Sequence, residues 1–379
     1  MKHHNFWNTL LAVCTLGIGF FAGWMTNSWI ERRTSNYPLL YEAIQRLEEN
    51  ALYPLPEGTV LEYGMIRGLL QAYNDPYTIF LEPPQHEVQT NQLEGKYGGI
   101  GVKIERGGSG VLLYPFPNGP AAEAGVLDAD LLIQVDEMPV TLESAQDQIE
   151  AALSGPVGQE VSIVVFRASV GEITFVIKRR EVALPSVIYH AIEGHPHIGL
   201  LQVKLIAETT ADELTTAVQN LQSDGVRHFI LDLRENGGGL LKAGIDIARL
   251  FLDSGVVIEQ QYKGKGVERY AVSNPGKLAD LPLVVLVNQH TASAAEIVAG
   301  ALQANGRASL IGAPTYGKDT IQLVFELEDG SSLHITAARW WLPSAPFPGP
   351  EFGLKPDYGE DVGDAEWVNL AITLLEQLP

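Results

Sequence analysis

The sequence predicts a multidomain α/β protein: an α/β core with a mixed sheet, a small β-rich module inserted into it, a helical segment ahead of both, and an apolar N-terminal stretch. Three observations carry that reading. From about Leu184 onward strands and helices alternate, the pattern of a partly parallel sheet covered by helices. Between residues 95 and 182 short alternating strands surround one helix-forming stretch. Ahead of them, apolar residues recur at helical spacing. The chain has 379 residues, too many for one ordinary domain, and with 46% apolar residues it has ample surface to bury. A single Cys excludes a disulfide scaffold. With 46 acidic against 25 basic residues the net charge is −21, which argues against nucleic acid as a partner, since phosphate binding needs concentrated positive charge.

From His3 to Ile30 the chain carries no Asp, Glu, Lys or Arg, and Leu10 to Met25 is nearly all apolar. A helix of about 20 such residues spans a bilayer core, and Trp7, Trp24 and Trp29 lie where indole rings favour the interface. Small residues are scarce at a sensible cleavage point, so residues 1–35 read as a transmembrane signal anchor rather than a removed signal peptide. This expectation tethers the protein to a membrane with its bulk extracytoplasmic, on the periplasmic or outer face; cleavage would make it secreted. Residues 36–94 read as an N-terminal helical segment packing on the core. Leu39, Leu40, Ile44 and Leu47 mark one helix and Leu61 to Tyr73 a second, stopped by Asn74-Asp75-Pro76, with irregular chain beyond.

Residues 95–182 form the β-rich module. Val102 and Ile104, then Val111 and Leu113, alternate as strand, turn, strand. Pro117 to Gly125 reads as a turn and a short helix ended by glycine. Leu131 to Val135 is a strand, Ala145 to Leu153 a helix, and Val161 to Arg167 and Ile173 to Arg179 are closing strands. In the core, residues 183–379, strands are expected at Ile198 to Val203, Val226 to Leu233 and Leu283 to Val287. Helices are expected at Ala211 to Gln222, Gly239 to Leu252 and about Ser293 to Asn305.

The chemistry-bearing candidates lie in the core. Ser293 falls between a buried strand and a helix start, where a helix N-terminus stabilises developing negative charge; read alone, Ser293 or Thr291 is a helix cap. Gly312 to Lys318 fits the first seven positions of a phosphate loop, but Asp319 replaces the metal-binding hydroxyl and Thr320 to Leu327 alternates like a strand, so nucleotide binding stands only as a lesser rival reading, which an ATP affinity near zero would remove. His290 reads as a surface or packing residue. His190, His195 and His197 lack metal-ligand spacing on a helix, and His195-Pro196-His197 reads as a loop. Glu296 reads as a first-turn acid at a helix N-terminus, and Asp232 and Arg234 as braces for the glycine run that follows them.

The module, with its loop Gly99-Ile100-Gly101-Val102, the segment PNGPAAEAGVLDADLLIQVDEMPV and the closing VSIVVFR, resembles a PDZ domain. The resemblance implies that the loop's backbone N–H groups receive a peptide's terminal carboxylate while the peptide adds a strand to the sheet edge. The segment VLVNQHTASAAEIVAGALQANGRASLIGAPTYGKDTIQ resembles the carboxy-terminal processing peptidases, or tail-specific proteases. LDLRENGGGLL, Asp75-Pro76-Tyr77 and Gly353-Leu-Lys-Pro-Asp357 match the same family in its order. This resemblance implies a serine endopeptidase that cleaves near substrate C-termini with a Ser–Lys dyad. Ser293 matches its nucleophile, Lys318 its general base, Gln322 the support of the lysine, and Gly238 and Ala294 the backbone donors of the oxyanion hole. The implied partners are protein or peptide substrates with free, apolar C-termini; no metal or organic cofactor is implied. Asp319 stands where relatives carry glycine, and its side chain is expected to point to water. The rival reading is a catalytically inactive PDZ peptide-binding scaffold. Oligomeric state and any activating partner are left open by the sequence.

Overall fold

The computed structural model describes residues 37–56, 58–108, 110–343, 353–359 and 361–377. The expected anchor, residues 1–35, lies outside them, and no helix among the described residues is long and apolar enough to cross a membrane. The chain divides into two compact units, Met1–Tyr73 and Asn74–Pro379. In the first, α1 (Pro38–Asn50) and α2 (Thr59–Tyr73) stand where the apolar spacing puts helices. Proline at the start of α1 fits because the first helical N–H has no partner to lose.

The second unit opens with two elements that the sequence reading left irregular, β1 (Ile79–Leu81) and α3 (Pro83–Glu94). Glu82 caps α3, Gln85 reaches back to the Glu82 N–H, and Gly95 ends the helix in the left-handed conformation at φ +72°. The β-rich module follows. Its sheet orders β3 (Val102–Gly107), β4 (Gly110–Pro115), β5 (Asp130–Val135), β7 (Glu160–Arg167) and β8 (Gly171–Lys178), with β6 (Met138–Pro139) paired to β5. A short helix α4 (Pro120–Ala124) and α5 (Gln146–Leu153) complete it, and Ile100, Leu113, Ile149, Ile163 and Val165 fill its own core. The strands β2 (Lys96–Gly99) and β9 (Arg180–Ala183) pair with each other where the chain enters and leaves the module.

The core sheet orders β10 (Val187–Ile192), β11 (His195–Val203), β12 (His228–Asp232), β15 (Leu283–Val287) and β16 (Ser309–Gly312). Only the β10–β11 pair is antiparallel, so the sheet is mixed, as the alternation of elements implies. One face carries α6 (Thr210–Ser223), α7 (Leu241–Phe251) and α8 (Ala294–Ala304), with Leu201, Leu231, Val285 and Val298 buried between. The other face carries α9 (Asp364–Leu375), whose Trp367, Ala371, Ile372 and Leu375 cover Ile198, Ile230, Val284 and Ile311. Every residue of β15 is buried, which is why its apolar run is unbroken. A second sheet orders β1, β18 (Ser332–Trp341), β13 (Val256–Tyr262) and β14 (Val267–Ala271), with β17 (Thr320–Glu326) also on β18. His195-Pro196-His197 is not a loop: it begins β11, because Ile192 pairs with His195 across a tight two-residue turn.

Candidate active site

Ser293 caps α8 with φ +53° and ψ −120°, a region that non-glycine residues occupy only where neighbouring bonds hold them. Those bonds are present. The Ala292 N–H donates to the Asn236 carbonyl at 2.9 Å, and the Ser293 N–H donates to Glu296 Oε2 at 2.8 Å. The Thr291 hydroxyl donates to the Leu233 carbonyl at 2.8 Å and accepts from the Asn288 N–H at 3.0 Å. Ser293 thus sits on a sharp strand-to-helix turn although it lacks the flanking glycines of a G-x-S-x-G elbow.

Lys318 comes to the same cleft from the loop between β16 and β17. That cleft, of about 360 Å³, is lined by Ser293, Ala294, Gly238, Lys318 and Gln322. The half-buried Lys318 amine donates to Gln322 Oε1 at 2.8 Å and stands 5.0 Å from the centre of the Tyr77 ring. Gln322 in turn donates through Nε2 to the Tyr77 carbonyl, so the Asp75-Pro76-Tyr77 turn fixes the amide that fixes the lysine. Among the described residues no hydrogen bond joins the Lys318 amine to the Ser293 hydroxyl. Burial lowers the Lys318 pKa, opposed by the charges of Asp75 and Glu296. Asp319 does not point to water as expected. Its side chain is largely covered and pairs with Arg339 at 3.4 Å, so its charge is met away from the amine.

Glu296 is more than a first-turn acid. It is fully buried. Its Oε2 accepts from the N–H groups of Ser293 and Lys318, at 2.8 and 2.9 Å, and its Oε1 from the Gly317 N–H and Thr315 hydroxyl, at 2.7 and 2.6 Å. One carboxylate therefore ties the serine turn to the lysine loop, and the Tyr316 N–H reinforces the link by donating to the Thr291 carbonyl at 3.0 Å. Burial raises the Glu296 pKa, against the four donors, which lower it. The spacing Ser293-x-x-Glu296 is the sequence signal of this arrangement.

The glycine run after β12 presses against the serine. At Gly238, φ is +102°, and an added Cβ would lie 2.8 Å from the Ala292 carbonyl oxygen and 2.9 Å from Ser293 Cβ. Asn236, fully buried and not singled out from the sequence, organises this run. Its Nδ2 donates to the Val203 carbonyl and its Oδ1 accepts from the Gly238 N–H, both at 2.8 Å. The Gly238 N–H is thus occupied, whereas the Ala294 N–H has no protein partner among the described residues. Asp232 and Arg234 brace the turn, Arg234 Nη2 lying 2.7 Å from the buried carboxylate. His290 is exposed on the surface.

A second cleft, of about 380 Å³, runs between β3 and α5 and is lined by Val102, Ile104, Glu150 and Leu153. Of the Gly99-Ile100-Gly101-Val102 loop, Val102 lines this cleft; the Ile100 carbonyl accepts from the Ala121 N–H and the Gly101 carbonyl from the Phe116 N–H, both at 2.8 Å. Tyr97 reaches into this cleft with its ring folded over Gly99. Burial raises the Tyr97 pKa, and the backbone N–H groups of Val102 and Gly101, which face its hydroxyl, counter that rise. Helix α3 lies between the clefts, Gln89 and Leu93 lining the first, Val88 and Asn91 the second, and Gln92 both.

Comparison with known proteins places the chain in a family. The profile of peptidase family S41 matches residues 197–359. The chain is 33% identical over 332 residues to the carboxy-terminal processing protease CtpA of Bacillus subtilis, covering 87% of this chain and 70% of that protein. It is 35% identical over 287 residues to a carboxyl-terminal-processing protease of a Picosynechococcus species, covering 74% and 69%. It is 34% identical over 329 residues to the chloroplastic carboxyl-terminal-processing peptidase 2 of Arabidopsis thaliana, covering 83% and 63%. A solved photosystem II D1 C-terminal processing protease aligns over 83% of this chain and 86% of its own, with 29% identity and a TM-score of 0.46. The chain belongs to peptidase family S41, among the carboxyl-terminal processing proteases. It is a serine-type peptidase, and its substrates are proteins or peptides.

Proposed function

We propose that the protein cleaves near the C-terminal tails of substrates with a Ser293–Lys318 dyad, after residues 95–182, acting as a PDZ domain, have captured the tail. The observation that carries this reading is the placement of the Lys318 amine. It lines one cleft with Ser293, is held by Gln322 at 2.8 Å, and is pushed toward its neutral form by burial. An ordinary lysine, with a pKa of about 10.4, has almost no lone pair to offer at neutral pH; a desolvated one does.

In this mechanism Ser293 Oγ attacks the scissile carbonyl carbon as its proton passes to Lys318 Nζ, a rotation of the lysine side chain bringing amine and hydroxyl together. The carbonyl oxygen becomes an oxyanion beside the Ala294 N–H and, once the Gly238 N–H exchanges Asn236 Oδ1 for it, beside Gly238 as well. The C–N bond then breaks, the departing amine takes the proton from Lys318, and the acyl group stays on Ser293. Lys318 next takes a proton from water, whose oxygen attacks the ester; the acyl carbon–Oγ bond breaks, Ser293 Oγ takes the proton back from Lys318, and the product leaves with a new carboxyl terminus. Glu296 keeps the serine turn and the lysine loop in register throughout.

Capture of the tail falls to the second cleft. There Gly99, Ile100, Gly101 and Val102 offer backbone N–H groups to the terminal carboxylate, and the tail pairs with the edge of β3. An internal chain segment has no such carboxylate, which accounts for a preference for ends. Residues 1–35 serve as a membrane anchor in this reading, with the peptidase core, residues 183–379, on the extracytoplasmic side. The test is cleavage of a protein with an apolar, free C-terminus. Ser293→Ala and Lys318→Ala should each abolish turnover while the protein stays folded, and amidating the substrate's end should slow it. Wild-type turnover in Lys318→Ala would overturn the reading.

A further inference from the structure

We infer that His195, His197 and Glu376 form a site for a divalent transition-metal ion, zinc best of all, that fastens the end of α9 to the edge of the core sheet. The two histidines stand two residues apart at the start of β11, and Glu376 directly follows α9. One ligand atom from each residue lies within 4.8 Å of the other two. His195 Nδ1 is already 3.3 Å from Glu376 Oε1, and the two imidazole rings are 6.2 Å apart between centres. Imidazole nitrogen and carboxylate oxygen are the donors zinc takes at about 2.0–2.2 Å, which sets them roughly 3.4 Å apart around one ion. All three side chains are at least partly exposed, so rotamer changes are enough to draw them in.

A further imidazole backs the set. His228 lies on the adjacent strand, in register with Ile198, and meets the His197 ring edge-on at 6.0 Å between centres. Its Nδ1 is buried and has no hydrogen-bond partner among the described residues, a condition that buried polar atoms seldom tolerate. The fourth coordination position falls to water. The end of a helix also favours a cation, and the last turn of α9 holds no basic residue.

The place of the cluster in the fold decides its role. Strands β11, β12 and β15 are parallel. Ser293 follows the C-terminal end of β15 and Asn236 that of β12, whereas His195, His197 and His228 stand at N-terminal ends. The ion would therefore sit at the opposite end of the sheet's strands from the cleft and take no part in peptide cleavage. It would cross-link the last turn of α9 to the sheet whose face that helix covers.

The test uses the full chain, freed of metal with a chelator, and Zn²⁺ titrated by calorimetry. Because His3 and His4 of the same chain are further donors, the variants carry the comparison. His197→Ala and Glu376→Gln alter exposed side chains and should fold normally. Each should weaken one Zn²⁺ equivalent by more than the ~10–100-fold that loss of an outer supporting group costs. Saturating Zn²⁺ should raise the unfolding temperature of the wild type by a few degrees and leave both variants unmoved. Equal affinity in wild type and variants would overturn the site. Binding lost in the variants with no stabilisation of the wild type would overturn the fastening role and leave a surface chelate only.

Discussion

Replacing Glu296 by Gln separates the two things this carboxylate does, because it removes the charge and keeps the shape. The native carboxylate accepts four hydrogen bonds, from Ser293, Lys318, Gly317 and Thr315. An amide offers one accepting oxygen. If that oxygen keeps the Ser293 and Lys318 N–H groups, the NH₂ faces the Gly317 N–H, donor against donor, while the Thr315 hydroxyl can turn to accept. One buried N–H left unsatisfied costs about 1–3 kcal/mol, and two surviving bonds that lose their charge assistance cost about 1 kcal/mol each. The sum, about 3–5 kcal/mol, should lower the unfolding temperature by on the order of 10 °C. Removing the charge also lowers the pKa of Lys318, since Glu296 is one of the charges that raise it, so the base itself becomes easier to neutralise. If register between the serine turn and the lysine loop controls the rate, kcat falls despite the better base. The assay is peptide cleavage at a temperature where both proteins are folded, beside thermal unfolding. A Glu296→Gln enzyme that kept wild-type kcat, or gained rate, would refute the argument that this carboxylate sets the geometry.

Gly238→Ala puts a methyl group 2.8 Å from the Ala292 carbonyl oxygen and 2.9 Å from Ser293 Cβ at a φ of +102°, so the serine turn must shift. We expect kcat to fall by about 10²-fold, the scale of losing one oxyanion donor, with substrate capture, read as peptide affinity, unchanged. Tyr97→Phe removes the hydroxyl that faces the Gly101 and Val102 N–H groups. Fluorescence anisotropy should record tighter binding of a peptide with a free carboxylate and no change for its amide; equal affinities for the two peptides in every variant would remove carboxylate capture from the account.

Much of the scaffold is legible because its signals are local. The all-apolar run Leu283 to Val287 announces a strand buried on both faces, and Pro38 and Gly125 mark the start of one helix and the end of another. Helix α3 escaped because none of its residues is buried and its side chains show no apolar period; the Glu82–Gln85 capping box was its only mark. The start of β11 escaped because Pro196 reads as a strand breaker, yet it is tolerated at the irregular end of the β10–β11 pair. In the site, Ser293, Lys318 and Gln322 were accessible through resemblance, and the structure brings all three to one cleft. The bonds of Glu296 and Asn236 were not, because they join segments that meet only when the sheet assembles: Glu296 with Thr315 and Gly317, Asn236 with Val203.

The dyad stands or falls on the charge of one amine, and NMR of ¹³Cε-labelled lysine can follow it directly, with Ser293→Ala used to prevent turnover. Burial lowers the Lys318 pKa in the folded protein. Between that lowered value and about 10.4 the folded state therefore binds fewer protons than the unfolded one, so this group's contribution to stability grows as pH rises through the window. The rate should rise with the neutral fraction over the same limb. The account predicts a Lys318 resonance that titrates below the other lysines and coincides with the alkaline rise of wild-type kcat/KM. A Lys318 midpoint at or above that of an ordinary lysine, in the presence of bound substrate, would contradict it.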